Sequence, residues 1–302
     1  MKESRKTGHL LTEQINPELS HLDQCSTLEL VDIILSEDRT ITEAVEREMT
    51  KIAEAVELIV GKLRDGGRLI FTGAGTSGRL GVLEAAECPP TFGTDPRMIQ
   101  AIIAGGNEAV LNSIEGAEDS RTESVEALSA LGINEKDIIV GVAASSTTPF
   151  VESSLIFAND KGAGTVLVTC NTVKNSPADI TIPLLVGPEV LVGSTRMKAG
   201  TVTKMVLNML TTASMVKLGK TLGNLMVDVQ PKSAKLRDRA KRIVTHITGV
   251  SEDEALELLS KSEWDVKSAV VMQRRGVSLK EAKEILQDHS GKLRNAINKG
   301  KK

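Results

Sequence analysis

Two turns rich in Gly, Ser and Thr are the places where the chain could bind an anion. The first reads Gly73-Ala-Gly-Thr-Ser-Gly-Arg79 and the second reads Ala143-Ala-Ser-Ser-Thr-Thr-Pro149. Each follows a short β-branched run and opens a helical pattern, and free backbone amides at a helix N-terminus favour an anion. Thr76 and Ser77 add hydroxyl donors. A monophosphate bound by hydroxyls and amides, without a metal, fits both turns.

Each turn also has a simpler explanation. A Gly-rich segment is an ordinary strand-to-helix connection, and Ser and Thr are preferred helix N-caps. The first turn is not a Walker loop, because no Lys-Ser/Thr pair follows it, and no acidic residue closes the next strand as a dinucleotide site requires. The occurrence of two such turns after two strands of one sheet favours phosphate binding.

The turns belong to a regular alternation of strands and helices. Strands are predicted at 68–72, 98–103, 137–142 and 164–169, with a weaker one at 180–183. Helices are predicted at 77–86, 108–114, 122–131 and 149–160. This order predicts an α/β fold, a three-layer αβα sandwich with a mostly parallel sheet. Ligands of such sheets bind at the carboxyl ends of the strands near the switch point, where both turns fall.

The N-terminal segment has a different pattern. Residues 1–25 show no sustained periodicity and are expected to form an extended arm. Ser26 and Glu29 have the spacing of a capping box at a helix start. One long amphipathic helix is then predicted, ending at Gly66-Gly67. Its apolar face comprises Val45, Met49, Ile52, Val56, Ile59 and Leu63.

The C-terminal segment contains an internal repeat and no strand pattern. A stretch that begins at Gly249 recurs from Gly276, an offset of 27 residues. Each copy opens with a Ser-x-x-Glu capping box, Ser251/Glu254 and Ser278/Glu281. Two copies are too few for a solenoid, so a compact helical domain is predicted, whose helix pairs resemble ubiquitin-associated domains. The expected domains are 1–58 (arm and long helix), 59–222 (the α/β domain) and 232–302 (the helical domain).

Composition excludes several classes of protein. The net charge of −3 and the 2% of aromatic residues argue against nucleic-acid binding and against a lectin. No apolar run has the length of a signal peptide or a membrane span, so no membrane association is expected. The three cysteines are far apart, as in a reducing compartment, and the predicted location is the cytoplasm. The four histidines show no ligand spacing, and no metal site is expected.

The two turns together resemble those of the sugar isomerase (SIS) domain, which binds phosphosugars without a nucleotide. This resemblance implies that Ser77, Ser145 and Thr148 are phosphate ligands. It implies a small phosphosugar as the ligand of the α/β domain.

Further motifs resemble the N-acetylmuramic acid 6-phosphate etherase family over most of the chain, from about Ser26 to the helical tail. They are Leu83–Gly93 (LEAAECPPTFG), Ile103–Gly106 (IAGG), Glu115–Arg121 (EGAEDSR), Gly193–Thr201 (GSTRMKAGT) and Gly223–Asp228 (GNLMVD). The resemblance implies a carbon–oxygen lyase of amino sugar catabolism and peptidoglycan recycling. It implies elimination of D-lactate and addition of water, giving N-acetylglucosamine 6-phosphate without a cofactor, and a homodimer with composite sites.

The resemblance also extends the predicted site. Thr76, Ser146, Ser194 and Arg196 are expected among the substrate-binding residues. One departure is visible, since the family usually has Gly and then Arg where this chain has Ser146 and Thr147. Arg79, Arg196 and Lys198 could bind the phosphate or the lactate carboxylate, with a surface salt bridge as the alternative for each.

The two functional glutamates of the family map onto Glu87 and Glu118, the predicted catalytic residues. Glu87 precedes Cys88-Pro89-Pro90, which predicts that its helix ends there. A carboxylate at that end faces the negative pole of the helix dipole, which suits a group that must donate a proton. Glu118 lies in an acidic cluster that would otherwise indicate a solvated loop. Glu84, three residues before Glu87, is a secondary candidate.

Two other functions share the phosphate turns. A phosphosugar isomerase often opens the sugar ring with a histidine, and this chain has none between residues 22 and 245. A non-catalytic phosphosugar sensor, similar to the vertebrate glucokinase regulator, would have two such domains in a chain about twice as long. Lactate release distinguishes the etherase from both.

Overall fold

The computed structural model describes residues 8–298, which form two compact units. The first comprises the described residues up to Ala85 together with Arg97–Thr211. The second comprises Ala86–Pro96 together with the residues from Thr212 onward. The sequence pattern did not indicate that residues 86–96 group with the C-terminal helices.

A five-stranded parallel sheet forms the centre of the first unit. Its strands are β1 (Leu69–Gly73), β2 (Ile99–Ile103), β3 (Ile138–Val142), β4 (Gly164–Thr169) and β5 (Ile180–Pro183). The strand order is β2-β1-β3-β4-β5, and all neighbouring pairs are parallel. Every residue of β1, β3 and β4 is buried, as in parallel sheets covered on both faces. The predicted fold class is confirmed.

Within the described residues, eight α-helices between Thr27 and Lys217 accompany the sheet. They are α1 (Thr27–Asp38), α2 (Ile41–Arg47), α3 (Met49–Arg64), α4 (Gly75–Phe92), α5 (Glu108–Leu111), α6 (Thr122–Ala130), α7 (Pro149–Asp160) and α8 (Lys198–Lys217). Two glycines permit close packing on opposite faces of the sheet. A Cβ at Gly141 would lie 2.7 Å from Val151 Cγ1 of α7, and one at Gly81 of α4 would lie 2.8 Å from Phe71 Cβ.

The predicted long helix is divided into three, because α1 ends at Asp38 and α2 and α3 follow it. α2 ends at Arg47 and α3 begins at Met49, with Glu48 between them outside helical geometry (φ −107°, ψ 9°). Met49 is 63% exposed, so the predicted apolar face is wrong at that position. The other members of this face are buried, because α2 and α3 each turn their apolar residues inward. The capping box of Ser26 and Glu29 is confirmed at the start of α1.

The predicted end of α4 at Glu87 is also wrong. The helix continues through Pro89 and Pro90 to Phe92, although proline lacks the N–H of a helical hydrogen bond. Cys88 and Phe92 lie one turn apart and both are buried, and the Gly93 N–H donates to the Pro89 carbonyl at 3.0 Å. Burial of this face offsets the missing bonds. Since Glu87 does not end the helix, the argument from the helix dipole no longer applies to it.

The described part of the N-terminal arm is folded rather than extended. It forms 3₁₀ turns at Leu11–Glu13, Pro17–Leu19 and Leu22–Gln24. Asn171, just after β4, holds the first turn: its Oδ1 accepts the Leu11 N–H at 2.6 Å, and its Nδ2 donates to Thr12 Oγ1 at 3.1 Å. Asn171 Nδ2 also donates to the Ala144 carbonyl at 2.8 Å, so the arm is tied to the end of β3.

The C-terminal part of the second unit is helical. Its helices are α9 (Ala234–Thr248), α10 (Glu252–Lys261), α11 (Val266–Arg275), α12 (Leu279–Asp288) and α13 (Leu293–Ile297). Capping boxes open α10 at Ser251 and α12 at Ser278, as the repeat predicts. Lys267 is buried here and donates to Asp228 Oδ2 at 2.6 Å. Among the described residues, no helix is both long and apolar enough to cross a membrane.

Candidate functional site

A cavity of about 820 Å³ opens at the carboxyl ends of β1 and β3. The strand order reverses between these two strands, so the cavity lies at the switch point of the sheet. The turns after both strands, the acidic 3₁₀ turn at Ala117–Asp119 and the N-terminal arm all contribute to its wall. Its lining residues are Leu10, Glu13, Ala74, Gly75, Thr76, Ser77, Glu118, Asp119, Arg121, Val142, Ala143, Ala144, Ser145, Thr147, Thr148, Gly193 and Thr195.

The first hydroxyl-rich turn passes from β1 directly into α4. Gly73 must be glycine, because a Cβ there would lie 2.7 Å from the Gly78 backbone nitrogen. The resulting tight turn sets Thr76 and Ser77 in the first turn of α4, where backbone N–H groups lack helical partners. The Ser77 hydroxyl has no hydrogen-bond partner within residues 8–298. This end of the cavity therefore offers donors to an anion.

The second turn passes from β3 into α7. Thr148 is the N-cap residue, but its side chain makes no capping hydrogen bond to the helix, and Pro149 occupies the first turn. Ser145 Oγ lies 3.4 Å from Thr148 Oγ1 and accepts the Thr147 N–H at 3.3 Å. These contacts are long, so the hydroxyls are only weakly engaged.

Ser146, between them, has a positive φ of 65°. The left-handed region favours glycine over serine. The loop thus keeps a glycine-like backbone with a serine in it. Ser146 itself does not line the cavity and faces a neighbouring one of about 630 Å³.

The acidic side chains approach from two separate segments. Glu118 and Asp119 lie on the 3₁₀ turn, which begins after Gly116 with a φ of 75°. Glu123 braces this region: its Oε1 accepts the Gly105 N–H at 2.8 Å, and its own N–H donates to Ser120 Oγ at 3.2 Å. Glu13 comes from the arm, more than 100 residues away in the sequence. The exposed carboxylate of Glu118 has no hydrogen-bond partner in the described part of the chain.

The cavity brings together five of the nine predicted site residues: Thr76, Ser77, Ser145, Thr148 and Glu118. Ser146, Ser194 and Arg196 do not line it, although Gly193 and Thr195 do. Arg196 is exposed, and Ser194 donates its N–H to the Leu191 carbonyl at 2.9 Å. Glu87 belongs to the second unit, where it is exposed on α4, and it is not among the lining residues.

Three other charged candidates have structural partners. Arg79 donates to the carbonyls of Val110 at 3.0 Å and Asn112 at 2.7 Å. Lys198 is buried and donates to Glu37 Oε2 at 2.5 Å. Glu84 is buried and accepts a hydrogen bond from Thr211 Oγ1 at 2.6 Å. We therefore assign these three side chains to the support of the fold.

Two buried titratable groups near the start of α8 are also structural. Burial raises the pKa of Glu189, although its carboxylate accepts the backbone N–H groups of Lys198 and Ala199. Burial raises the pKa of the Cys170 thiol to about 12, which keeps it protonated and unreactive near neutral pH. Among the described residues, no group of three or more His, Cys, Asp or Glu side chains is placed to hold a metal ion.

Sequence reasoning missed five polar lining residues: Glu13, Asp119, Arg121, Thr147 and Thr195. Arg121 and Thr195 lie inside recognised motifs, Arg121 three residues after Glu118 and Thr195 directly before Arg196, and this proximity is the available signal. Glu13 gave no such signal, because it lies in a segment without periodicity. The arm that carries it is tied to the end of the sheet by the hydrogen bond from the Leu11 N–H to Asn171.

Comparison with known proteins gives consistent matches. The glucokinase regulatory protein N-terminal SIS domain model matches residues 51–159, and a UBA-like domain model matches residues 244–272. The chain is 49% identical over 299 residues to the N-acetylmuramic acid 6-phosphate etherase of Trichodesmium erythraeum, covering 98% of this chain and 97% of that protein. It is 49% identical over 291 residues to the same enzyme of Geobacillus thermodenitrificans, covering 96% and 99%.

A solved structure of a phosphoheptose isomerase from Neisseria gonorrhoeae matches at a TM-score of 0.46 and 16% identity, over 63% of this chain and 99% of that one. The full-length relatives carry the assignment. By this similarity the chain belongs to the N-acetylmuramic acid 6-phosphate etherase family.

Proposed function

We propose that the protein cleaves the D-lactyl ether of N-acetylmuramic acid 6-phosphate, giving N-acetylglucosamine 6-phosphate and D-lactate. The observation that carries this proposal is the cavity itself. It combines two hydroxyl-rich helix starts, suited to a phosphate, with the unpaired carboxylate of Glu118, suited to proton transfer. The full-length similarity to etherases supports the same substrate.

The elimination of lactate needs two proton transfers, and the addition of water reverses them, returning a proton to C2 and taking one from the water. Opening of the sugar ring places an aldehyde next to C2, which makes the C2 hydrogen acidic. A carboxylate removes this proton, the C3–O bond breaks as an acid protonates the departing lactate oxygen, and water then adds across the double bond. General acid–base assistance contributes about 10²–10⁴-fold per group.

Glu118 and Glu87 are the proposed pair, with Glu118 as base and Glu87 as acid. Glu118 lines the cavity of its own chain. Glu87 is exposed on α4, where a second copy of the chain would have access to it. We therefore keep the homodimer with composite sites as part of the proposal.

The surface favours pairing through α1 rather than α8. The apolar residues Val202, Val206 and Leu207 of α8 are completely buried within the chain, so they are not available to a second copy. α1 has no buried residue, and its Leu28, Val31 and Leu35 are 78%, 58% and 52% exposed. Sedimentation at assay concentration should give a dimer. A species of 32.3 kDa only, the mass of one chain, would contradict it.

The deciding experiment mixes the purified protein with N-acetylmuramic acid 6-phosphate and measures D-lactate. Lactate together with N-acetylglucosamine 6-phosphate is the expected result. A ketose phosphate without lactate would indicate an isomerase, and binding without turnover would indicate a sensor. A cytoplasmic location and a role in peptidoglycan recycling are further parts of the proposal, and fractionation of cells tests the location.

A further inference from the structure

The cavity contains one positive charge on its wall among the described residues, that of Arg121. The other charged lining groups are the carboxylates of Glu13, Glu118 and Asp119. A phosphosugar that also carries a carboxylate must fit into this acidic surrounding. The position of Arg121 therefore helps to decide where the carboxylate of such a substrate lies and where its phosphate lies.

Arg121 is held near the start of α7 by a weak ion pair. Its Nη2 lies 2.7 Å from Glu152 Oε2, and the two side chains are 58% and 45% exposed. Glu152 lies one helical turn beyond Thr148, which lines the cavity. Exposed ion pairs contribute little to stability, so the guanidinium can exchange Glu152 for another carboxylate at small cost.

The proposed substrate has two anionic groups at different ends of the sugar. The phosphate on C6 fits the hydroxyls and free amides around Ser77 and Ser145, which carry no negative charge. The lactyl carboxylate on C3 would be repelled by Glu13, Glu118 and Asp119. Arginine presents a planar set of donors that matches a carboxylate in a bidentate manner.

We infer that Arg121 binds the lactyl carboxylate, and that it selects the muramic substrate over sugar phosphates without a lactyl group. This inference rests on the proposed function. Arg121 follows Glu118 by three residues on the same braced segment, so its positive charge would offset the repulsion between Glu118 and the lactyl carboxylate. Once lactate is released, the sugar product has no group for Arg121 to bind.

A competing carboxylate site lies next to the cavity. The neighbouring cavity of about 630 Å³ shares Leu10 and Thr147 with the first and is lined by Lys174 and His9. It has no carboxylate among its described lining residues. Lys174 is thus the alternative partner for the lactyl group, and the experiment includes it.

The experiment compares two ligands that differ in the lactyl group. KM is measured for N-acetylmuramic acid 6-phosphate, and the inhibition constant is measured for N-acetylglucosamine 6-phosphate. Arg121→Gln should raise KM about tenfold or more, the loss expected for hydrogen bonds to a charged group, and leave the inhibition constant unchanged. Arg121→Lys should recover part of the loss, because it restores the charge without the planar donors.

Two control variants show what a loss of phosphate binding and the loss of an unrelated exposed arginine would each do to the two ligands. Ser77→Ala should weaken both ligands to a similar extent, because both carry the phosphate. Arg242→Gln should change neither, although Arg242 is also an exposed arginine in an ion pair, with Asp238 at 2.9 Å. Equal effects of Arg121→Gln on both ligands, or no effect, would overturn the inference. So would a selective effect of Lys174→Gln without one of Arg121→Gln.

Failure of the proposed function gives a separate result. If the wild-type protein binds the muramic ligand without releasing lactate, the etherase proposal falls. Equilibrium binding of the same two ligands to Arg121→Gln then still decides the role of Arg121. Selective loss of the muramic ligand would support that role, and equal loss or no loss would overturn it.

Discussion

Two regions of the chain, the helical repeat of the second unit and the switch-point cavity of the first, use serine and glutamate in opposite ways. In the second unit Ser251 and Glu254 satisfy each other: Glu254 Oε2 accepts the Ser251 N–H and hydroxyl, both at 2.9 Å. In the first unit the Ser77 hydroxyl and the Glu118 carboxylate have no hydrogen-bond partner among residues 8–298. A polar side chain that has a hydrogen-bond partner three residues away stabilises the helix start and is not available to a ligand. One without a local partner remains available to a ligand.

The largest expected effect is on turnover, and it tests the carboxylates that have no role in stabilising the fold. Glu118→Gln and Glu87→Gln keep size and hydrogen-bonding capacity but cannot exchange protons. Each variant should lose about 10²-fold or more in kcat, with normal folding by circular dichroism. Lactate release is the assay. Near-normal release by both variants would end the two-carboxylate mechanism.

Exchange of the C2 hydrogen with deuterated water assigns the two roles. A variant that lacks only the acid for the leaving group can still exchange this hydrogen, whereas one that lacks the base cannot. We expect exchange in Glu87→Gln and none in Glu118→Gln. The opposite pattern would reverse the two roles.

The next effect concerns the serines of the two turns. Ser77→Ala and Ser145→Ala each remove one hydrogen bond to a charged phosphate, at a cost of about 1.5–3 kcal/mol, or roughly tenfold or more in KM. The free energy of unfolding should change little, because neither hydroxyl makes a strong bond within the chain. Unchanged kinetics in both variants would place the phosphate elsewhere.

The capping serines of the repeat should affect stability and not activity. Ser251→Ala or Ser278→Ala should lower the free energy of unfolding by about 1 kcal/mol, the usual cost of losing an N-cap, and leave lactate release unchanged. Denaturant titration beside the activity assay measures both quantities. A loss of activity without a loss of stability would mean that the repeat has a catalytic role.

The capping boxes also depend on pH. Hydrogen bonds from the backbone and hydroxyl of Ser251 and Ser278 lower the pKa of Glu254 and Glu281 below the ordinary value of 4.5. A lowered folded-state pKa means that this stabilisation is complete above the unfolded-state pKa and is lost as the pH falls through the folded-state pKa. Ser251→Ala should therefore matter less in acid than at neutral pH.

The smallest expected effect concerns the backbone at Ser146. Its positive φ of 65° is unfavourable for serine, so Ser146→Gly should stabilise the protein by about 0.5 kcal/mol, after the entropy cost of glycine. Ser290 in the second unit, with a φ of 54°, is the matched control, and Ser290→Gly should behave alike. If only Ser146→Gly raised activity, the loop would be more than a structural turn.

Much of the fold followed from local patterns. The strands at 164–169 and 180–183 and the helix at 149–160 have the predicted bounds, because β-branched runs and a Pro at the first helical position are local signals. The capping boxes of the repeat were predicted for the same reason. The short α5, which ends at Leu111 rather than Ile114, shows where a weak pattern overextends.

Long-range contacts decided what local patterns could not. The continuation of α4 through two prolines depends on the burial of Cys88 and Phe92, which no rule for proline anticipates. Arg79 was a candidate for phosphate binding until its partners proved to be the carbonyls of Val110 and Asn112. The bounds of α4 depend on packing of its buried face, and the partners of Arg79 lie more than 30 residues away in the sequence.

The sequence by itself determined the parallel sheet, the two hydroxyl-rich turns at its switch point and the helical repeat. Motifs alone linked Glu118 to those turns. Only the tertiary structure placed Glu13 and Arg121 at the cavity and paired Arg121 with Glu152. The physical reason is that residue type and spacing set local conformation, whereas the partner of a charged side chain depends on chain segments that meet only when the sheet forms.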